Sequence, residues 1–287
     1  MQTVAIVGAG LIGSSFGLAL RKAGFRGRIL GVSSPAATGE ALEVGAIDEA
    51  LPIESAIPQA DIVYLSQTIR RIVETITTLD AHLKPGTLVT DAGSTKVEIV
   101  ARAQACVRRG QFLGGHPLAG KETRGAASAD ADLFRGRTYV LTPTRAAELE
   151  TPIAREFREW LQAIGARVVT LAPDEHDRIV SLTSHLPQLA STALATLLDR
   201  KLASDRDTLV SGPGLADMTR LAASSYDVWA DILATNAREI DQALAAYIAE
   251  LEALRSTLSS DATRESFERA GDFSRRLRES STPNPSE

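Results

Sequence analysis

The sequence predicts an α/β domain built on a parallel sheet over residues 1–171, followed by an all-α domain over residues 172–279. Three observations carry this expectation. Short apolar β-rich runs alternate with helical stretches as far as Leu171, a glycine-rich turn joins the first run to the first helix, and after Pro173 the β-rich runs give way to helical periodicity. A chain of 287 residues also agrees with two domains at roughly one per ~150 residues.

In order along the chain, Thr3–Val7, Arg28–Val32, residues 61–66, Leu88–Asp91, Thr138–Thr142 and residues 167–171 read as strands. Most are continuous apolar runs rather than alternating ones, as expected of strands buried on both faces beneath covering helices. In the second domain the clearest helix places Trp229, Ile232, Leu233, Asn236, Ile240, Leu244, Tyr247, Ile248, Leu251 and Leu254 on one stripe. So long a stripe asks for a long partner helix, which predicts a homodimer through the helical domain, with an intramolecular bundle as the alternative. Residues 264–279 mix Arg275, Arg276 and Arg278 with Glu268, Asp272 and Glu279 and read as a solvated helix face. Residues 280–287, rich in Ser and Pro, read as a disordered tail.

Composition narrows the function classes. Hydrophobic residues make up 44% and charged residues 23% of the chain, as in ordinary globular proteins. A net charge of −5 offers no basic footprint for nucleic acid. No run approaches the ~20 apolar residues of a membrane span, and the first strand begins without the charged and apolar regions of a signal peptide. We therefore expect a soluble cytoplasmic protein with neither nucleic acid nor membrane as partner. Cys106, the one cysteine, reads as small core filler on a helix.

Gly8-Ala9-Gly10-Leu11-Ile12-Gly13 directly follows the first strand and opens the first helix. In that context Gly8 permits a tight turn, Gly10 close approach of a pyrophosphate, and Gly13 close packing of helix on strand. N–H groups of Leu11, Ile12 and their neighbours at the helix start would face the phosphates. This is a Rossmann-type dinucleotide-binding turn. The second strand should end on an acidic residue that holds the adenosine ribose; Ser33 stands there, and no arginine follows it in Ser33-Ser34-Pro35. The cofactor is NAD or NADP, and the sequence leaves the choice open.

Ligands of open α/β sheets bind at the carboxyl ends of the strands. Two segments fall there. In Asp91-Ala92-Gly93-Ser94-Thr95-Lys96, Thr95 and Glu98 form a possible capping box and Ser94 stands outside it, free to reach a ligand. In Gly114-Gly115-His116-Pro117-Leu118-Ala119-Gly120, glycines and a proline hold His116 in a loop, suited to general-base work by an ordinary pKa of about 6.5. A surface or capping histidine is the plainer alternative. His82 reads as solvent-facing, His176 as a structural contact at a helix start, and His185, beside Pro187, as a pocket residue. Arg220 could clamp a carboxylate or pair with Asp217 three residues earlier. No metal site is indicated.

These segments resemble the prephenate dehydrogenase family, also called arogenate or cyclohexadienyl dehydrogenases of tyrosine biosynthesis. The resemblance spans nearly the whole chain through Val7 to Ser15, Thr90 to Lys96, Gly114 to Gly120, Ser184-His185-Leu186-Pro187, Thr219-Arg220-Leu221-Ala222, Trp229-Ala230-Asp231-Ile232 and Asn236. It implies a Rossmann domain followed by a helical dimerisation domain, and oxidative decarboxylation of a dianionic cyclohexadienol with hydride transfer to the nicotinamide. It further implies His116 as the base at the C4 hydroxyl, Ser94 holding that hydroxyl and His116 in register, Arg220 on a substrate carboxylate, His185 in the same pocket, and Trp229 shaping the site or the dimer contact. Ser33 departs from the acidic residue of NAD-preferring members. Lys121 departs at the position after the His-Pro-Leu-Ala-Gly motif; with Arg124 it could add positive charge for the substrate or be a surface charge. No room for a fused regulatory module is expected after the helical domain. Prephenate and arogenate are not distinguished, and tyrosine inhibition is undecided. Two other readings stand beside this one: a 3-hydroxyacid-type dehydrogenase, which would want a lysine on the helical domain where only Lys201 occurs, and a non-catalytic dinucleotide sensor, which would need no base.

Overall fold

The computed structural model describes residues 1–202 and 204–281. The first part of the chain runs β1 (Thr3–Val7), α1 (Leu11–Lys22), β2 (Arg28–Val32), α2 (Pro35–Glu43), β3 (Glu49–Ala50), α3 (Ile53–Ala56), β4 (Ile62–Leu65), α4 (Ile69–Leu79), β5 (Leu88–Asp91), α5 (Val97–Cys106), β6 (Gln111–Pro117), β7 (Thr138–Thr142), α6 (Pro152–Ala163) and β8 (Arg167–Thr170). Helices follow: α7 (Pro173–Val180), α8 (Leu186–Lys201), α9 (Asp205–Thr208), α10 (Pro213–Thr219), α11 (Tyr226–Thr235), α12 (Ala237–Ser256) and α13 (Asp261–Ser281).

The strands form one sheet in the order β3-β2-β1-β4-β5-β6-β7-β8. Pairing is parallel from β3 to β6, so the carboxyl ends of β1, β2, β4, β5 and β6 share one edge. The expected parallel sheet needs one amendment: β7 runs antiparallel to β6, and β8 parallel to β7. β4 and β5 are buried along their whole length, which accounts for their continuous apolar sequences. Phe16 of α1 stacks on Tyr64 of β4 at 4.1 Å between ring centres, and Phe134 and Phe157 meet Phe16 edge-on. Each such ring, fully withdrawn from water, contributes on the order of 1.5–3 kcal/mol.

The segment read as a loop around His116 is a strand. Gly114, Gly115, His116 and Pro117 pair with Thr142, Leu141, Val140 and Tyr139. The two glycines serve close packing. A Cβ at Gly114 would lie 2.3 Å from Thr142 Oγ1, and one at Gly115 would lie 2.7 Å from the carbonyl oxygen of Asp91. Glycine inside a strand marks such close approach as readily as a turn.

Other expectations also change. The single long stripe is two helices, because Asn236 leaves helical geometry between α11 and α12 (φ −125°, ψ 25°). Its side chain is drawn into bonds described below. The Thr95–Glu98 capping box does not form; Thr95 Oγ1 bonds Thr235 Oγ1 at 2.8 Å instead. Cys106 ends α5 half-buried rather than filling the core. Helix α13 continues to Ser281, and the remainder of the expected tail, residues 282–287, lies outside the described residues.

Compactness divides the chain into Met1–Ala237 and Arg238–Glu287, whereas the sequence suggested a division near Leu171. The reason lies in ties from the helices after Pro173 back to the sheet: Asp177 of α7 holds the start of α5, and Asp231 of α11 accepts the Arg70 N–H at 3.0 Å. In the second unit, Ile248 and Leu251 of α12 and Phe267, Phe273 and Leu277 of α13 are exposed. No helix among the described residues is long and apolar enough to cross a membrane.

Candidate active site and nucleotide cradle

At the carboxyl edge of the sheet, β1 passes into α1 through the glycine turn. Gly8 has φ +105°, a conformation that strains any side-chain-bearing residue. Its N–H donates to Val32 O at 2.9 Å, and its carbonyl accepts from Ser66 Oγ at 2.8 Å. Helix and strand touch at Gly13, where a Cβ would stand 2.2 Å from the Gly8 carbonyl oxygen. Gly10 caps α1 with no side-chain bond, and the first turn carries no acidic residue. A Cβ at Gly10 would meet nothing within 4 Å. Backbone N–H groups at the positive end of a helix thus face open space, a cradle that fits a pyrophosphate. Ser33 follows β2 and is exposed, while Ser34 caps α2.

Three strands along the same edge from β1, His116 is the penultimate residue of β6. The residue is buried, 8% exposed. His116 Nδ1 lies 2.8 Å from His176 Nε2, and His176 Nδ1 lies 2.7 Å from Asp177 Oδ1. The Asp177 carboxylate accepts the backbone N–H groups of Lys96 at 2.7 Å and Val97 at 2.9 Å, so it caps α5 from a distant helix. Lys96, wholly buried, pairs with Asp91 and donates to the carbonyl of Gly115 at 2.7 Å. Asp91 in turn accepts N–H groups of Gly93 and Gly115. The strand that carries His116 is therefore pinned by a buried ion pair directly beside it. Burial, with smaller contributions from His176, Lys96 and His185, holds the His116 imidazole well below its ordinary pKa.

His185 closes a π-helical turn, Ser181–His185, between α7 and α8, which lets the helical path continue into Pro187. Such turns recur at functional sites. Asn236 Nδ2 donates to the carbonyl of Asp177 at 2.9 Å and faces His185 Nδ1 at 3.2 Å, while Trp229 meets the His185 ring edge-on. Burial lowers the His185 pKa to about 4.

The structure brings His116, His176, Asp177, Lys96, His185, Asn236 and Trp229 into one connected network. Ser94 is half-buried on the strand-end segment after β5 and makes no hydrogen bond to His116 among the described residues. Arg220 pairs with Glu122 at 3.3 Å, not with Asp217, and both side chains are exposed. Lys121 pairs with Asp130 at 2.9 Å, and Arg124 with Asp227 at 3.9 Å. Lys201 is exposed at the end of α8. Sequence reasoning did not place His176 and Asp177 in the site; the one available signal was a histidine-aspartate pair in the short helix after Ala172, and spacing says nothing about which distant strand such a pair meets.

A family model described as the prephenate dehydrogenase nucleotide-binding domain matches residues 16–170, and one described as the prephenate dehydrogenase dimerization domain matches residues 172–271. The chain belongs to the prephenate dehydrogenase family. Prephenate dehydrogenase of Lactococcus lactis is 33% identical over 243 residues, which cover 82% of this chain and 65% of the relative. That of Bacillus subtilis is 33% identical over 261 residues, covering 88% and 69%. The chain thus spans about two thirds of the length of these relatives. Among solved structures, prephenate dehydrogenase from A. aeolicus in complex with hydroxyphenyl propionate and NAD+ superimposes with a TM-score of 0.85 at 30% identity, covering 97% of this chain and 98% of that one. Synechocystis arogenate dehydrogenase gives 0.80 at 29%, covering 98% and 100%. The family's nucleotide-binding and helical parts meet between residues 170 and 172 in these matches, although compactness carries the first helices of the latter with the sheet.

Proposed function

We propose that the chain is a nicotinamide-dependent prephenate or arogenate dehydrogenase that oxidatively decarboxylates a dianionic cyclohexadienol to 4-hydroxyphenylpyruvate or tyrosine, with His116 as the base. The observation that carries the reading is a buried histidine, kept neutral by its surroundings, on the same sheet edge as the glycine cradle. The relatives' activities agree with it.

Bound at the cradle as NAD or NADP, the cofactor supplies a hydride acceptor. Gly10 and the N–H groups of Leu11 and Ile12 would hold its pyrophosphate, and Ser33 would serve its adenosine ribose. His116 accepts the C4 hydroxyl proton while that C–O bond gains carbonyl character and the C4 hydride departs. The bond to the ring carboxylate breaks, CO2 leaves, its electron pair completes the aromatic ring, and His116 returns the proton to the phenolic oxygen. Ser94 orients the hydroxyl and His185 lines the pocket. Arg220 offers its fork to a substrate carboxylate by exchanging an exposed partner, Glu122, a pair worth at most about 1 kcal/mol. Lys121, now paired with Asp130, would supply positive charge to the dianionic substrate.

In this reading the dinucleotide-binding unit extends over residues 1–171 and the helical substrate and dimerisation unit over residues 172–279. The latter assembles a homodimer, which would cover the exposed Ile248, Leu251, Phe267 and Phe273. Light scattering that finds only monomer would refute the dimer. Purified protein should reduce NAD or NADP with prephenate or arogenate; no turnover in any of the four combinations overturns the activity. His116→Asn should lower kcat by roughly 10²–10⁴ with cofactor affinity intact.

A further inference from the structure

We infer that His176 and Asp177 are positioning residues that fix the ring tautomer of His116, leaving its Nε2 bare and aimed for proton abstraction. The inference rests on the base reading above and deepens it. Asp177 offers only acceptors here, since both its oxygens already receive backbone N–H groups, from Lys96 and Val97. The proton between Asp177 Oδ1 and His176 Nδ1 therefore sits on the histidine. A neutral His176 protonated at Nδ1 presents a lone pair at Nε2. The atom 2.8 Å away, His116 Nδ1, must then carry its proton and donate it. One carboxylate, anchored on the start of α5, thus dictates the state of two imidazoles in series.

The consequence is chemical. A neutral imidazole can abstract a proton only at its unprotonated nitrogen, and the wrong tautomer presents a donor to the substrate hydroxyl. When His116 becomes an imidazolium, its Nδ1–H stays directed at His176, and the negative charge of Asp177 stabilises the cation through the intervening ring. The other groups around His116 do not set the tautomer. Lys96 is committed to Asp91 and the Gly115 carbonyl, Tyr139 bonds Tyr64, and His185 is held by Asn236. Removal from water lowers the pKa of His116 and keeps it uncharged between turnovers, so its tautomer, rather than its charge, is what the neighbours must arrange.

The test uses the whole protein. With 15N-histidine labelling at neutral pH, and the His116 signals assigned by their loss in His116→Asn, the wild type should show a protonated Nδ1 and an unprotonated Nε2 on His116. The reverse pattern overturns the inference, and this measurement needs no variant at His176 to fold. In steady-state kinetics, His176→Leu should lower kcat by roughly 10²-fold, inside the range a positioned base supplies, with the cofactor KM unchanged. His176→Gln, whose amide oxygen can accept the Nδ1–H, should recover part of that loss, although a purely packing role would favour leucine in so buried a place. Wild-type kcat in His176→Leu, or a glutamine variant slower than the leucine one, refutes positioning. If His116→Asn itself turns over normally, the base reading has failed instead, and the two failures are told apart.

Discussion

Two alanine substitutions one turn apart in the glycine cradle should fail in different ways. At Gly13 a methyl carbon would stand 2.2 Å from the Gly8 carbonyl oxygen and 2.5 Å from Ser66 Oγ. Such carbons come no closer than about 3.0 Å to a neighbour, so α1 must retreat from β1 by about 0.8 Å. Both walls of the gap are backbone or bonded side chain, since Ser66 Oγ is engaged by Gly8. Overpacking of this kind costs about 1–3 kcal/mol, which at about 2–4 °C per kcal/mol in a protein of this size lowers Tm by about 2–12 °C. At Gly10 the added methyl meets nothing within 4 Å. Gly10 also has φ −85°, which alanine adopts freely. Tm should therefore move by less than the equivalent of about 1 kcal/mol, the difference between poor helix caps. The methyl instead occupies the space through which a phosphate would approach the N–H groups. Cofactor affinity should fall by at least about tenfold, the equivalent of 1.4 kcal/mol. Differential scanning fluorimetry with and without NAD or NADP, and calorimetric titration, separate the two effects. A Gly10→Ala protein with wild-type affinity, or one as unstable as Gly13→Ala, would refute the assignment of that open space to the pyrophosphate.

Lys96→Met leaves Asp91 buried without its cation and should cost about 3–5 kcal/mol in urea unfolding; a loss below about 1 kcal/mol would mean water reaches the pair. His116 and His185 both have folded-state pKa values below the ordinary value of about 6.5, that of His185 at about 4. The unfolded chain binds these protons first as pH falls, so stability is fully present above about pH 6.5 and declines below it, by about 1.4 kcal/mol per pH unit for each histidine still neutral in the fold. Tm measured from pH 7 down to pH 4.5 should fall less steeply in His185→Phe, and parallel slopes would contradict the assignment. Arg220→Ala should leave Tm unchanged, its partner pair being exposed, but raise the substrate KM roughly 10–100-fold through loss of a charge-assisted bond. An unchanged KM would remove Arg220 from the substrate site.

The sequence by itself determined six of the eight strands, the glycine cradle and the family, because these rest on neighbours in the chain. Val4 to Val7, a turn that only glycine can make at Gly8, and a helix that must pass close at Gly13 are local facts of sterics. His116 was legible as a candidate, yet its setting was misread: glycines beside it suggested a loop, and only the approach of Asp91 and Thr142 reveals that they let a strand pass between neighbours. The stripe from Trp229 to Leu254 looked continuous, since periodicity cannot register one residue whose side chain is drawn to His185 and Asp177. His176 and Asp177 were illegible as site residues for the same reason. What makes them matter is contact across 60 residues to His116 and about 80 to the start of α5. Burial, tautomer and charge are set by the partners that folding brings together, and a one-dimensional pattern holds no record of them until the sheet has been assembled.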